Sequence, residues 1–284
     1  MAVVLITGCS SGLGASTALA FAKKGDTVIA TMRRMDRASA LRARVLDAGV
    51  SLEIIELDVS SAQSVGVAVT DVLKRHRAID VLVNNAGVAH VGAIETTPLE
   101  FAQEVVDTNF WGAVRMIQAV LPTMRARDAG VVINVSSVAG RIAPLPFSSW
   151  YSVSKHAVCL LSEALHMELL GTNVRVVSVE PGFFKTSLVA RTAPPAPEGN
   201  DYTAEEEWVA SFYEAGTQNG GDPNEVAVAI IAAATDPATP LHLAVPAFRV
   251  GVIPAGAPSF EETVARQIAT LEAVSGPRPS RNTP

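Results

Sequence analysis

Between residues 3 and 180 the chain alternates short β-branched runs with longer amphipathic stretches, and that order admits few folds. The runs are "VVLIT" (3–7), "TVIAT" (27–31), "LEIIEL" (52–57), "DVLVNN" (80–85), "VVINVSS" (131–137) and "VRVVSVE" (174–180). Helices are predicted over 12–24, 36–48, 61–76, 98–127 and 149–170, with Pro122 bending the fourth. Strands that are apolar on both faces need a helical cover on each side, so the sheet is expected to be parallel. Right-handed crossovers then give a doubly wound α/β fold of about seven strands, with ligands at the carboxyl ends of the strands.

The pattern weakens after Pro181. "RTAPPAPEGN" (191–200) holds three prolines and a glycine and is read as irregular. A helix follows over 203–216, with Thr203 and Glu206 spaced as a capping box. Another is expected over 222–235, then a last strand at 242–246 and a final helix over 259–273. A length of 284 residues suits one domain of this class. It divides into a core over 1–190, a small helical substrate lid over 191–274 and a loose tail over 275–284.

Net charge is −6, and no Lys/Arg run exceeds two residues, which excludes nucleic acid or an anionic membrane as the main partner. No apolar run reaches 18 residues, so no membrane span is expected, and the apolar run at the N-terminus is too short for a signal peptide. Cys9 and Cys159 stand far apart in unlike contexts, which points to free thiols and a cytoplasmic location. No Cys/His/carboxylate set has metal-ligand spacing, so no metal is expected. His90 is read as a loop residue and His156 as a helix position beside Lys155.

Directly after the first strand comes "TGCSSGLG", with Thr7, Gly8, Gly12 and Gly14 in the order T-G-x3-G-x-G. A strand before and a helix after make this loop, including Ser10, Ser11 and Leu13, a candidate pyrophosphate cradle. Gly8 would allow the tight turn, and Gly12 and Gly14 would let backbone amides approach the phosphates.

With this loop and four further motifs in order, the sequence resembles the short-chain dehydrogenase/reductases over about residues 2–190, nearest their 17β-hydroxysteroid and retinol dehydrogenase branch. The resemblance implies a Rossmann-type sheet and a nicotinamide cofactor. It implies that Asp58 and Val59 meet the adenine and that "NNAG", with Asn85, Ala86 and Gly87, lies along the cofactor. "PGFFKT" supplies Pro181, Gly182, Phe184 and Thr186 near the nicotinamide. Asn109, Ser137, Tyr151 and Lys155 match the family's catalytic set, with Lys155 also on the nicotinamide ribose. Ser137 precedes Tyr151 by 14 residues where the family usually shows 13, and an extra residue in "IAPLPFSSW" would explain the difference. Adjacent strand residues face opposite ways, so only one of Ser136 and Ser137 can serve; the family pattern points to Ser137. Relatives of this kind pair through helices matching about 98–126 and 149–170, so a homodimer or homotetramer is expected.

Where NAD enzymes carry an acidic residue after the second strand, this chain has Met32, Arg33 and Arg34. A guanidinium suits a 2′-phosphate, so NADP(H) is expected over NAD(H), through Arg33; Arg34 can equally be a solvated charge. Tyr151 and Lys155, four apart on a helix, can face one cleft. An ammonium beside a desolvated phenol, together with an oxidised nicotinamide, would lower its pKa from about 10 toward neutrality. Leu145, Phe147, Phe183 and Trp208, with Trp150, Phe184, Leu188 and Phe212, suggest an apolar pocket for a lipophilic, steroid- or retinoid-like alcohol, ketone or aldehyde. Rival readings are the same chemistry with NAD(H) on a small or polyol substrate, a non-catalytic NADP(H) sensor, and a lyase or epimerase. An intact Ser, Tyr and Lys opposes the sensor, and the short chain beyond the sheet opposes the epimerase.

Overall fold

The structure, a computed structural model, describes residues 1–142, 144–186, 188, 201–245 and 260–278. The strands are β1 (Val3–Ile6), β2 (Thr27–Met32), β3 (Glu53–Glu56), β4 (Val81–Asn84), β5 (Gly130–Val135), β6 (Val174–Pro181) and β7 (His242–Val245). They form one parallel sheet in the order β3-β2-β1-β4-β5-β6-β7. The doubly wound expectation holds, with the order reversing at β1.

Period-two burial explains the layers. Val4 and Ile6 of β1, Val83 of β4 and Ile133 of β5 point to one face, where α1 (Gly12–Lys23), α2 (Ser39–Asp47) and α8 (Pro223–Thr235) cover them with Phe21, Leu41 and Ile230. Their neighbours Leu5, Leu82 and Val132 point to the other face, against Val69, Met116 and Leu165. Those three belong to α3 (Ala62–His76), α5 (Gly112–Arg127) and α6 (Ser149–Glu168). Each fully buried aliphatic side chain contributes roughly 1.5–3 kcal/mol, so a polar residue at any of these alternating positions would be costly.

The predicted helix over 98–127 is α4 (Leu99–Val106), a π turn (Asp107–Trp111) and α5. Its irregularity lies at Asn109, while α5 runs on through Pro122 to Arg127. A π turn inserts an extra residue into the helical repeat, which such sequence periodicity does not reveal. The helix α7 (Thr203–Gln218) has Tyr202 at its cap, so Thr203 is its first helical residue rather than the cap of a box. The Glu206 carboxylate accepts the Ala93 N–H at 2.8 Å instead. A full capping box does occur one helix later, where Asp222 and Glu225 close α8 with Pro223 in its first turn.

A third apolar cluster joins α7 to α9 (Phe260–Ser275) through Trp208, Val209, Phe212 and Leu271. The indole Nε1 of Trp208 donates to the Gly276 carbonyl at 2.7 Å, and Arg278 pairs with the buried Glu205 at 2.6 Å. The start of the expected loose tail is therefore fastened. The proline-rich stretch 191–200 and the residues after Arg278 lie outside the described residues. Among the described residues, no helix is long and apolar enough to cross a membrane.

Candidate active site

At the carboxyl ends of the central strands lies an open cleft enclosing about 1330 Å³. One end is formed by the glycine loop, Arg33, Arg34 and Arg37, and the other by Ser137, Tyr151, Lys155, Phe184 and Leu188. Asp58, Val59, Asn85, Ala86, Gly87, Pro181, Gly182 and Thr186 line the floor between them. All of the residues read from the sequence as cofactor-binding therefore border one continuous groove.

The glycines are fixed by close approach as well as by turn geometry. Gly8 has φ +73° and Gly12 φ +58°, in the left-handed region where a side chain is strained. A Cβ on Gly14 would lie 2.5 Å from both the Gly8 carbonyl oxygen and Asn85 Nδ2. Gly14 thus lets α1 close onto its own loop, a packing role beside the phosphate-approach role read from the motif. Thr7, quoted in the motif without a role, is the pin: its Oγ1 accepts the N–H groups of Asn85 at 2.9 Å and Ala86 at 3.0 Å. Asn85 Nδ2 returns a bond to the Thr7 carbonyl at 2.8 Å. The glycine loop and the "NNAG" turn are therefore one unit.

The residues present fit a nicotinamide dinucleotide. The cradle is free of side chains at its glycines, a helix N-terminus faces it, and positive groups stand at both ends. Arg34 is bound to Asp36 on the surface, whereas Arg33 is exposed and has no ion pair among the described residues. Asp58 is also engaged, accepting the Ser60 hydroxyl at 2.7 Å.

At the other end the two serines separate. Ser136 Oγ donates to the Lys155 carbonyl at 2.8 Å and accepts from Cys159 Sγ at 3.2 Å, so its hydroxyl is already engaged. Ser137 Oγ accepts the Ala139 N–H at 3.2 Å, lies 3.4 Å from the Pro181 carbonyl and stands near enough to the Tyr151 phenol to oppose the rise of its pKa. The loop in which the extra residue is expected runs just ahead of α6. There Phe147 is left-handed at φ +58°, held by the Gly92 N–H, which donates to its carbonyl at 2.6 Å. For a bulky residue that conformation costs about 1–2 kcal/mol.

Tyr151 and Lys155 lie one turn apart on α6, both buried, with Lys155 Nζ 5.8 Å from the centre of the Tyr151 ring. Nζ donates to the Val135 carbonyl at 2.9 Å. Burial pushes the Lys155 amine down from 10.5 to about 8. It raises the Tyr151 phenol, with Ser137 opposing the rise. The lowering expected from the lysine and an oxidised nicotinamide is therefore not seen in the protein alone, where desolvation dominates both groups.

Asn109 sits in the π turn, buried, and its side chain is fully engaged. Oδ1 accepts the Val88 N–H at 2.8 Å, and Nδ2 donates to the Val88 carbonyl and to Ser154 Oγ, each at 2.9 Å. It ties the loop after β4 to α6 without touching Lys155 or Tyr151 through a hydrogen bond among those described.

Of the expected substrate residues, Leu145, Phe147, Phe183 and Trp208 do not border the cleft. They pack into the third cluster, where Phe183 meets Phe212 at 5.5 Å and Tyr213 at 5.7 Å between ring centres. Trp150 is half-buried and likewise off the cleft wall, while Phe184 and Leu188 do form part of it. Mutual burial of these rings is as favourable as burying a ligand, and composition cannot separate the two. Tyr213 was not legible: its phenol is buried near Ser148, the residue before α6, and near Tyr151, and burial raises its pKa. It follows Phe212 in an amphipathic helix, with no motif to mark it. Nor did spacing reveal that Cys159, Glu180 and His242 converge, their candidate ligand atoms all within 4.8 Å of one another.

Residues 2–196 match the sequence profile described as short chain dehydrogenase. Dehydrogenase/reductase SDR family protein 7-like of Anopheles gambiae is 35% identical over 238 residues, covering 81% of this chain and 71% of that protein. Retinol dehydrogenase 8 of Homo sapiens is 42% identical over 183 residues, 63% of this chain and 58% of its own. Among solved structures, a short-chain dehydrogenase from Streptomyces avermitilis has a TM-score of 0.76 at 34% identity, covering 96% of this chain and 94% of that one. An actinorhodin polyketide ketoreductase with NADPH has a TM-score of 0.74 at 28% identity, covering 86% and 95%. The chain belongs to the short-chain dehydrogenase/reductase family of oxidoreductases, with relatives on its retinol dehydrogenase-like side.

Proposed function

We propose that the protein is an NADP(H)-dependent oxidoreductase that interconverts an alcohol with a ketone or aldehyde carried on a lipophilic body. The observation that carries this is Ser137, Tyr151 and Lys155 gathered at one end of a groove whose other end presents Arg33, which has no ion pair among the described residues. When bound there, the nicotinamide supplies or accepts hydride. The chain's own residues manage the oxygen and the proton. Ser137 holds the substrate oxygen, and Tyr151 donates its phenolic proton to that oxygen in reduction and recovers it in oxidation. Lys155 lies beside the phenol, and Asn109 holds the Val88 loop against α6. Phe184 and Leu188 give the substrate side an apolar wall.

Cofactor choice and substrate class are tested together by following nicotinamide absorbance with NADPH and NADH across ketones, steroids, retinoids and polyols. NADPH should be favoured, and a lipophilic carbonyl should be the better substrate. Arg33→Ser should cut kcat/KM with NADPH by about 10- to 100-fold, the worth of one charged hydrogen-bonding partner, and leave NADH turnover within a few-fold. Equal losses with both cofactors would remove Arg33 from 2′-phosphate recognition.

We also propose a homo-oligomer built through α4–α5 and α6. Leu99 and Trp111 on the first pair, and Val153, Leu160, Met167 and Leu170 along and just past α6, are large apolar side chains left exposed. Light scattering should give at least a dimer, and Leu160→Glu with Met167→Glu should shift it toward monomer; a monomeric wild type would exclude the assembly.

A further inference from the structure

One turn beyond Lys155, α6 sets Cys159 against the ends of β6 and β7. Its Sγ stands 3.2 Å from Ser136 Oγ, 3.6 Å from Glu180 Oε1 and 3.8 Å from Ser178 Oγ. The same Glu180 oxygen lies 2.6 Å from Nδ1 of His242. The other imidazole nitrogen, Nε2, lies 3.0 Å from Glu163 Oε1, which is paired with Arg141 at 3.0 Å. Cys159 and Glu180 are buried, while the His242 side chain keeps 23% of its surface exposed.

A plain hydrogen-bonded network accounts for the carboxylates and the imidazole but gives the thiol little to do, since Sγ is a weak donor spread among three oxygens. We propose that Cys159 Sγ, Glu180 Oε1 and His242 Nδ1 form a site for a zinc-class divalent cation. Thiolate, imidazole and carboxylate are the donors such an ion takes, in tetrahedral geometry with neighbouring donors about 3.3–3.7 Å apart. The sulfur–oxygen separation already lies there, and the nitrogen–oxygen pair needs to part by under an ångström or so. Ser178 Oγ or solvent can take the fourth position. Glu163 holds the imidazole from behind and is itself held by Arg141, the arrangement that fixes a metal-binding histidine in the required tautomer.

Charges of both signs surround the site. The charged and titratable groups facing the site are Arg141 from the loop after β5, Glu163 and Lys155 on α6, Glu180 on β6 and His242 on β7. The Nε2 of the ring faces both Glu163 at 3.0 Å and the Arg141 guanidinium at 3.5 Å. The thiolate is the ligand form of Sγ, so entry of a dication releases the thiol proton.

The test uses the tag-free full chain, stripped with a chelator and titrated with Co²⁺, then with Zn²⁺ in competition. Wild type should take up one cobalt per chain, show thiolate-to-cobalt charge-transfer absorption and release the thiol proton. Cys159→Ala should abolish that absorption and weaken binding by about 100-fold or more, whereas Glu163→Gln should keep the absorption and weaken binding about 10- to 100-fold. His242→Gln, whose side chain is partly exposed, repeats the test should Cys159→Ala fold poorly, with circular dichroism and cofactor binding as the folding control. Absence of saturable uptake by wild type would overturn the site. So would uptake lacking the charge-transfer absorption and unaltered in both the Cys159 and His242 variants.

Discussion

Tyr151→Phe should bind NADPH with unchanged affinity and lose turnover by about 10²- to 10⁴-fold, the span expected when a positioned proton donor is removed. The phenol is buried, and the substitution leaves the ring packed and deletes only the hydroxyl. Cofactor affinity, read by fluorescence titration, separates this loss from collapse of the groove. Because burial raises the phenol above its ordinary range, wild type holds the proton at neutrality and is poised for reduction. A variant keeping more than a tenth of wild-type turnover would remove Tyr151 from the proton-transfer role.

The second large effect runs in opposite directions for stability and activity. Lys155→Met should abolish most turnover yet raise the stability of the cofactor-free protein near neutral pH. The folded amine sits at about 8 against an ordinary 10.5, a burden of about 3 kcal/mol. Below pH 8 folded and unfolded chains both carry the proton and the burden is complete. Between 8 and 10.5 only the unfolded chain holds it, so wild-type stability gains with rising pH, and above 10.5 the burden is gone. Methionine keeps the length and apolar stem, while loss of the bond to the Val135 carbonyl takes back about 1 kcal/mol. The net gain of about 2 kcal/mol corresponds to a melting temperature higher by about 5 °C, as calorimetry at pH 7 can check. An unchanged or lower melting temperature would show that the buried ammonium is stabilised by something other than the contacts described.

The sheet was legible because burial on both faces writes itself into consecutive apolar residues, as in Val4, Leu5 and Ile6. The cleft was legible where chemistry demands a residue type, at Gly8, Asn85, Tyr151 and Lys155. Three things were not. The π turn holding Asn109 changes hydrogen bonding without changing hydrophobic period enough to read. The rings of Phe147, Phe183 and Trp208 have the composition of a ligand wall and instead bury one another. Convergences such as Tyr213 with Ser148, or Cys159 with Glu180 and His242, depend on how distant elements dock, and no local pattern encodes them.

The strand order also sets a timetable for synthesis. β1 lies between β2 and β4, so one of its edges has no partner until residues Val81–Asn84 have been made. At roughly 5–20 residues per second, that edge waits several seconds outside the ribosome. Thr7 meets Asn85 only at the same moment, so a nascent chain carrying the whole glycine loop still lacks the clamp that shapes it. Fragments ending before Asn85 should therefore be the aggregation-prone products of interrupted translation, exposing an apolar strand edge that the finished protein keeps at its centre.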